Sequence, residues 1–177
     1  MNPIRSITKL LTLVPVLLWT LLIFNFSSQS YHEQSIQPIL HKWFTKEGML
    51  SVVPEMTIHY HHSTIEARKQ PFEFVEFLFR KGSHLFMYAM LAVCALFALI
   101  QARWKLGFKM LLAIVYVIGI ASADEWNQAR SVERTSAMQD IVLDSIGGFL
   151  GLVVLILCLA MFRKIRRNST LRRGEVP

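Results

Sequence analysis

The stretch SADEWNQARSVERTSAMQDIVLDSIGGFLG, Ser122 to Gly151, decides how this chain folds. It brings carboxylates and arginines to the junction of two apolar runs, Phe108 to Ala123 and Ile141 to Phe162. An apolar run of about 20 residues is the length that crosses a bilayer as a helix. The stretch therefore predicts two membrane helices that meet at one membrane surface through a polar connection.

The composition of the whole chain is typical of a membrane protein. Its 177 residues are 53% hydrophobic, with a mean hydropathy of +0.40, which is high for a soluble domain. The net charge of +7 is concentrated in RKIRRNSTLRR, directly after the last apolar run. Basic residues in that position indicate a membrane surface rather than nucleic acid. Cys94 and Cys158 fall inside apolar runs, where we expect them to act as small hydrophobic residues.

Four apolar runs predict an all-α membrane protein, a four-transmembrane-helix bundle that forms a single domain over residues 1–177. The predicted spans cover residues 8–28, 83–101, 107–124 and 140–162, and a basic tail follows at 163–177. The first run also resembles a signal peptide, with a small-residue cleavage site at Ser28 to Ser30. Its long apolar region and the rarity of alanine favour a retained span.

The distribution of Lys and Arg predicts the orientation of the bundle. Eleven of the 19 basic residues lie before or at the start of the first span, in or next to the connection between the second and third, or after the fourth. The long loop at 29–82 holds six basic residues, which six glutamates balance. Because Lys and Arg accumulate on the cytoplasmic side, both termini are predicted to be cytoplasmic. The loop at 29–82 and the polar connection after Ser122 then lie outside.

The extracytoplasmic loop at 29–82 carries helical signals of its own. Ser30 followed by Glu33 matches a capping box. A second short helical segment, PFEFVEFLF, begins at Pro71 and leads into the second span. Between them, apolar residues at helical spacing predict an amphipathic helix on the membrane surface or against the bundle: Ile36, Ile39, Leu40, Trp43 and Phe44.

Polar side chains are predicted to meet at the outer ends of the last three spans. Residues four apart share one face of a helix, so each set forms a stripe. Ionisable groups cost about 3 kcal/mol at the bilayer centre and are retained mainly where they face protein or water. The candidate ligand-binding residues are Arg80, Lys81, His84, Tyr88, Asp124, Glu125, Gln128, Arg134, Asp140 and Asp144. An alternative interpretation is that these groups only hold three helices together.

The fourth span also contains a face of small residues. Gly147 and Gly151 are four residues apart and continue the face that carries Asp140 and Asp144. A small-xxx-small pattern permits close contact between membrane helices. We therefore expect these glycines to pack against a neighbouring helix just below the polar site.

Together these residues resemble the VanZ-like family of bacterial membrane proteins. The resemblance runs over nearly all of the membrane portion and includes FSSQ, Phe26 to Gln29, and RKGSHLFMYAML, which begins at Arg80. It implies an integral protein of the bacterial plasma membrane, associated with the cell envelope. The founding member of the family is linked to low-level resistance to the glycopeptide teicoplanin. In the last two helices the resemblance rests on Asp124, Glu125, Gln128, Arg134, Asp140, Gly147 and Gly151.

Two positions depart from the family pattern. The family often has Pro-Gly before the arginine, where this chain has Val132 and Glu133, which predicts a less tight turn. The family usually has asparagine four residues after the aspartate, where this chain has Asp144. That change adds a negative charge to the site, or a proton if the carboxyl is protonated by burial.

Two main hypotheses for the function follow. In the first, Arg80, Lys81 and Arg134 bind the anionic headgroup of a membrane lipid or a lipid-linked wall precursor. In the second, the protein is a membrane-embedded hydrolase or phosphotransferase acting on a lipid headgroup. His84 would then be the base or nucleophile, assisted by Glu125 and Asp140 as further catalytic residues.

The sequence also bears on transport, metal binding and partners. Transport through Asp144 is disfavoured because four spans without repeats are unlike known transporters. His59, His61 and His62 lack an acidic or thiol partner at ligand spacing, so no metal or cofactor is predicted. The expected partners are membrane lipids or lipid-linked cell-wall precursors, a second copy of the chain, or envelope enzymes.

Overall fold

The computed structural model describes residues 3–30, 32–60, 63–129 and 138–174. The two strands pair antiparallel, with Thr57 opposite Glu66 and Tyr60 opposite Ser63. In chain order the elements are α1 (Pro3–Ser27), α2 (Gln37–Trp43), α3 (Lys46–Val52), β1 (Thr57–Tyr60), β2 (Ser63–Glu66), α4 (Pro71–Ala98), α5 (Leu106–Gln128) and α6 (Met138–Gly174).

Four of the described helices are long and apolar enough to cross a membrane, which confirms the predicted number of spans. Many of their exposed side chains are apolar, among them Leu21, Leu111 and Leu157. Such a surface suits hydrocarbon, where helices satisfy their own backbone groups. The fold is therefore consistent with a multi-pass membrane protein. The spans are Leu10–Ser27, Pro71–Ala98, Leu106–Gln128 and Met138–Asn168.

Helix α4 is longer than the predicted second span. The short helix expected at Pro71 and the span expected at 83–101 form one continuous helix of 28 residues. A helix of that length measures about 42 Å, whereas the hydrocarbon core is about 30 Å thick. The first turns of α4 carry the charged residues Glu73, Glu76 and Arg80. A prediction from hydropathy therefore detects only the apolar part of the helix that follows them.

The capping pattern at Ser30 forms but does not begin a helix. Glu33 Oε2 accepts hydrogen bonds from Ser30 N at 2.7 Å and from Ser30 Oγ at 3.1 Å. Helix α2 begins only at Gln37, with Pro38 in its first turn. Proline has no backbone N–H and fits the first turn of a helix but not its interior. A helix of seven residues thus lies within the segment predicted to be amphipathic, flanked by Ile36 and Phe44.

The loop between α1 and α4 folds onto the start of α4 and builds a small core of its own. The all-α prediction misses the sheet here, because two strands of four residues are too short to show a clear alternation. The side chains of Ile58 and Ile65 join the strands to this core. The core consists of Met49, Val53, Ala67, Phe72 and Phe74.

The main core surrounds α4, which packs against α1, α5 and α6. Trp19 Nε1 of α1 donates a hydrogen bond to Met87 O of α4 at 2.7 Å. Helices α4 and α6 approach each other closely at the two glycines of the predicted small-residue face. A Cβ at Gly147 would lie 2.7 Å from Leu85 O, and one at Gly151 would lie 2.5 Å from Ala89 O. The two backbones can approach this closely only because neither glycine has a side chain.

Candidate functional site

Helix α4 supplies one polar stripe that faces both neighbouring helices. Glu76, Arg80, His84 and Tyr88 are spaced four residues apart and therefore follow one face. The rings of His84 and Tyr88 lie nearly parallel, with 6.4 Å between their centroids. Three of these residues were predicted from the sequence. Glu76 was missed, although the same spacing extended by one turn would have found it.

The α4 stripe meets α6 at Asp144. The two helices approach closely at Gly147, so His84 Nδ1 lies 3.4 Å from Asp144 Oδ1. Asp144 is only 1% exposed, and its Oδ1 has no hydrogen-bond partner within the described part of the chain. A buried carboxylate next to an imidazole can orient the ring and stabilise its charged form.

The same stripe meets α5 at Asp124, which is 2% exposed. Asp124 Oδ2 accepts hydrogen bonds from Tyr88 Oη at 3.3 Å and from Gln128 Nε2 at 3.0 Å. Gln128 Nε2 also donates to Ser27 Oγ of α1 at 2.9 Å. This network links three helices. Ser27 lies in the FSSQ segment, but no pattern in the sequence indicates that it contacts α5.

A separate cluster forms where β1, α4 and α6 meet. Asp140 accepts hydrogen bonds from Tyr60 Oη and Lys81 Nζ. The Lys81 ammonium lies 4.1 Å from the centroid of the Tyr60 ring, which adds a cation–π attraction. Burial raises the pKa of the Tyr60 hydroxyl, and its hydrogen bond to Asp140 raises that pKa further. Tyr60 therefore stays protonated and acts as a donor.

A cavity of about 680 Å³ lies between α1, the segment that follows α1, and α4. Its wall is largely apolar and includes Ile23, Phe26 and Met87. Phe79 and Phe86 also line it, and they are 61% and 60% exposed. The cavity therefore opens sideways between α1 and α4, past exposed apolar side chains. We call it the α1–α4 groove.

The polar part of the α1–α4 groove contains four of the predicted ligand-binding residues, Arg80, His84, Tyr88 and Asp124. Glu33 also lines the groove. A hydrogen bond from the Ser30 backbone N–H lowers the pKa of Glu33, so this carboxylate is ionised at neutral pH.

The other predicted site residues that the structure describes lie elsewhere. Arg134 falls outside the described residues. Lys81, expected to bind an anion, forms an ion pair with Asp140. Glu125 and Gln128 are buried on α5. The residues predicted for the site but absent from the lining of the groove are Lys81, Glu125, Gln128, Asp140 and Asp144.

Two further features of the loop bear on the sequence predictions, namely Tyr60 and the histidines. Tyr60 was not predicted, since only the packing of β1 against α4 brings it to Asp140. His59 Nδ1 lies 3.1 Å from Thr64 Oγ1, while His61 and His62 lie outside the described residues. Within residues 3–30, 32–60, 63–129 and 138–174, no group of three or more His, Cys, Asp or Glu side chains is placed to hold a metal ion.

Comparison with known proteins identifies the family. The family model described as VanZ/LLP1 matches residues 12–160, which include all four spans except the start of the first and the end of the last. Searches of curated proteins and of solved structures found no match. The matched region contains the residues of the α1–α4 groove, the pair of His84 and Asp144, and the cluster around Asp140. The chain therefore belongs to the VanZ/LLP1 family.

Proposed function

We propose that this chain is a cell-envelope membrane protein whose α1–α4 groove binds the anionic headgroup of a membrane lipid or a lipid-linked wall precursor. One observation supports this function above the others. The groove joins an apolar wall to a polar region that contains Arg80 and His84, and it opens where lipid would lie. Pockets for small molecules combine a largely apolar lining with a few polar groups in this way.

In this proposal the two parts of the groove bind the two parts of a lipid. Acyl chains contact Ile23, Phe86 and Met87, while the phosphate contacts the Arg80 guanidinium. Arginine suits this role because its planar fork can form two hydrogen bonds to a phosphate. The distribution of basic residues along the chain argues that the groove lies at the outer surface of a bacterial plasma membrane. A wall precursor held there would be withheld from a glycopeptide, which is a route to teicoplanin-type resistance.

Binding of phosphatidylglycerol tests the proposed function. Purified full-length protein in detergent would be titrated with phosphatidylglycerol and with diacylglycerol of the same chains, and complexes would be counted by native mass spectrometry. We expect phosphatidylglycerol to bind more tightly. Arg80→Gln should weaken its binding by about tenfold or more, the range expected for a charge-assisted hydrogen bond.

Arg103→Gln provides the matched control, because Arg103 is an exposed arginine in the connection between α4 and α5. This variant should bind phosphatidylglycerol like the wild type. Equal binding of the two lipids, or equal losses in the two arginine variants, would contradict a phosphate site at Arg80.

The pairing of His84 with Asp144 supports a second candidate, a hydrolase or phosphotransferase. A histidine that lines a cavity and lies 3.4 Å from a buried carboxylate has the arrangement of a general base and the group that orients it. If the protein is such an enzyme, prolonged incubation with labelled phosphatidylglycerol should release headgroup. His84→Ala should then abolish release, and Asp144→Asn should lower kcat with little change in binding. Binding without any release rules this candidate out.

A further inference from the structure

We infer that the inner end of the α1–α4 groove receives a positively charged amine of the bound headgroup, in contact with Asp124. This inference rests on the proposed function and extends it. The ligand is then an amphipathic molecule that carries both a phosphate and a primary amine. Three observations carry the inference: the charges that line the groove, the unpaired oxygen of Asp124, and the kind of hydrogen-bonding groups at the inner end.

The described lining of the groove contains more carboxyl groups than basic groups. It includes three carboxylates, those of Glu33, Glu76 and Asp124, but one guanidinium and one imidazole. Glu76 is already engaged, because it accepts hydrogen bonds from Ile36 N at 3.0 Å and from Gln37 Nε2 at 2.6 Å. These carboxylates add attraction for a ligand that carries an amine as well as a phosphate.

Asp124 differs from Glu76 in having an unused acceptor. Its Oδ2 accepts two hydrogen bonds, but its buried Oδ1 has no partner among the described residues. A buried acceptor without a donor is costly, and such groups are rare unless a ligand or water pairs with them. Because Asp124 lines the groove, a bound molecule is a suitable source for that donor.

The inner end of the groove offers acceptors rather than donors. Ser27, Tyr88 and Asp124 line it, and the buried Oδ1 of Asp124 is an acceptor without a partner among the described residues. The Tyr88 hydroxyl and the Gln128 amide both already donate to Asp124 Oδ2. An ammonium group has three donors and no acceptor, so it matches this end of the groove better than a second phosphate or a hydroxyl would.

The spacing along α4 indicates how far the amine lies from the phosphate. Arg80 and Tyr88 are eight residues apart, which corresponds to about 12 Å along the helix axis. A two-carbon spacer, as in phosphatidylethanolamine, is short for that separation. An aminoacyl ester of phosphatidylglycerol places its amines farther from the phosphate and is therefore the better probe.

Three lipids with the same acyl chains test the inference: lysyl-phosphatidylglycerol, its N-acetylated form, and phosphatidylglycerol. Binding to the purified full chain would be measured by native mass spectrometry. We expect the free amines to strengthen binding by about tenfold relative to the acetylated lipid. Asp124→Asn keeps the shape of the side chain and should remove this preference. Glu47→Gln, an exposed position on α3, should retain the preference.

The outcomes separate this inference from the proposed function. If the wild type binds phosphatidylglycerol but does not distinguish the free amines from the acetylated ones, the amine site is refuted and the phosphate site stands. If no phospholipid binds, the proposed function fails as well. The comparison of lipids on the wild-type protein decides the question even if Asp124→Asn does not fold.

Discussion

Replacing Gly151 with alanine should force α4 and α6 apart and cost much of the stability of the bundle. The new Cβ would lie 2.5 Å from Ala89 O and 2.7 Å from Ala89 Cα. Both are backbone atoms of a packed helix, so no side chain can rotate away to make room. Overpacking of this kind costs about 1–3 kcal/mol and sometimes more, and we expect a loss at the upper end of that range.

Gly119→Ala is the matched control for Gly151→Ala. Gly119 lies within α5, and a Cβ there would have no atom within 4 Å. Alanine is favoured over glycine in a helix interior by about 1 kcal/mol, so this variant should be as stable as the wild type or more so. Free energies of unfolding measured by SDS titration in mixed micelles would compare the two. Similar values for both variants would show that the close contact of α4 with α6 does not exist.

The contact at Gly151 also bears on the polar site. His84 lies one residue before Leu85, the residue that faces Gly147. A shift of α6 away from α4 would therefore lengthen the separation of His84 from Asp144. We expect Gly151→Ala to weaken lipid binding along with stability.

Lys81→Met should be the second strongly destabilising change. Lys81 and Asp140 form an ion pair in which the side chains are only 15% and 17% exposed. Removing the lysine leaves a largely buried carboxylate without its counter-charge, and breaking such a pair costs about 3–5 kcal/mol. Since Tyr60 still donates to Asp140, we expect a loss near the lower value.

Lys69→Met provides the comparison on the surface. Lys69 pairs with Glu66 at 2.8 Å, but these side chains are 74% and 42% exposed. Exposed pairs contribute about 0–1 kcal/mol, so the free energy of unfolding should hardly change. The double variant Lys81→Met/Asp140→Asn should recover most of the stability, because it removes the unpaired charge but keeps an acceptor for Tyr60. Equal effects of the two lysine substitutions would contradict the buried pair.

The polar residues of the candidate site illustrate what a sequence pattern can predict. The spacing of four residues correctly groups Arg80, His84 and Tyr88 on one face of α4, because the period of a helix is fixed by its backbone. The pattern does not distinguish Arg80, which lines the groove, from its neighbour Lys81, which pairs with Asp140. One residue changes direction by about 100° around a helix of 3.6 residues per turn, so the two point to different partners.

The sequence by itself determined the four spans, the polar ends of the last three, and the membership of the family. These features depend on local properties: apolar length sets the spans, and helical period sets the stripes. The structure of the loop was predicted less accurately. Helix α2 begins later than predicted, with Pro38 in its first turn, and two strands of four residues are too short to give a clear sequence pattern.

Only the tertiary structure decided how these parts combine. It brought Tyr60 of the hairpin to Asp140, joined Ser27 to Asp124 through Gln128, and opened the α1–α4 groove beside α4. These partners lie far apart along the chain, and no local pattern specifies which faces of two helices meet. That choice comes from close packing, above all from the contact of Gly147 and Gly151 with the backbone of α4, because two backbones approach this closely only where neither side chain intervenes.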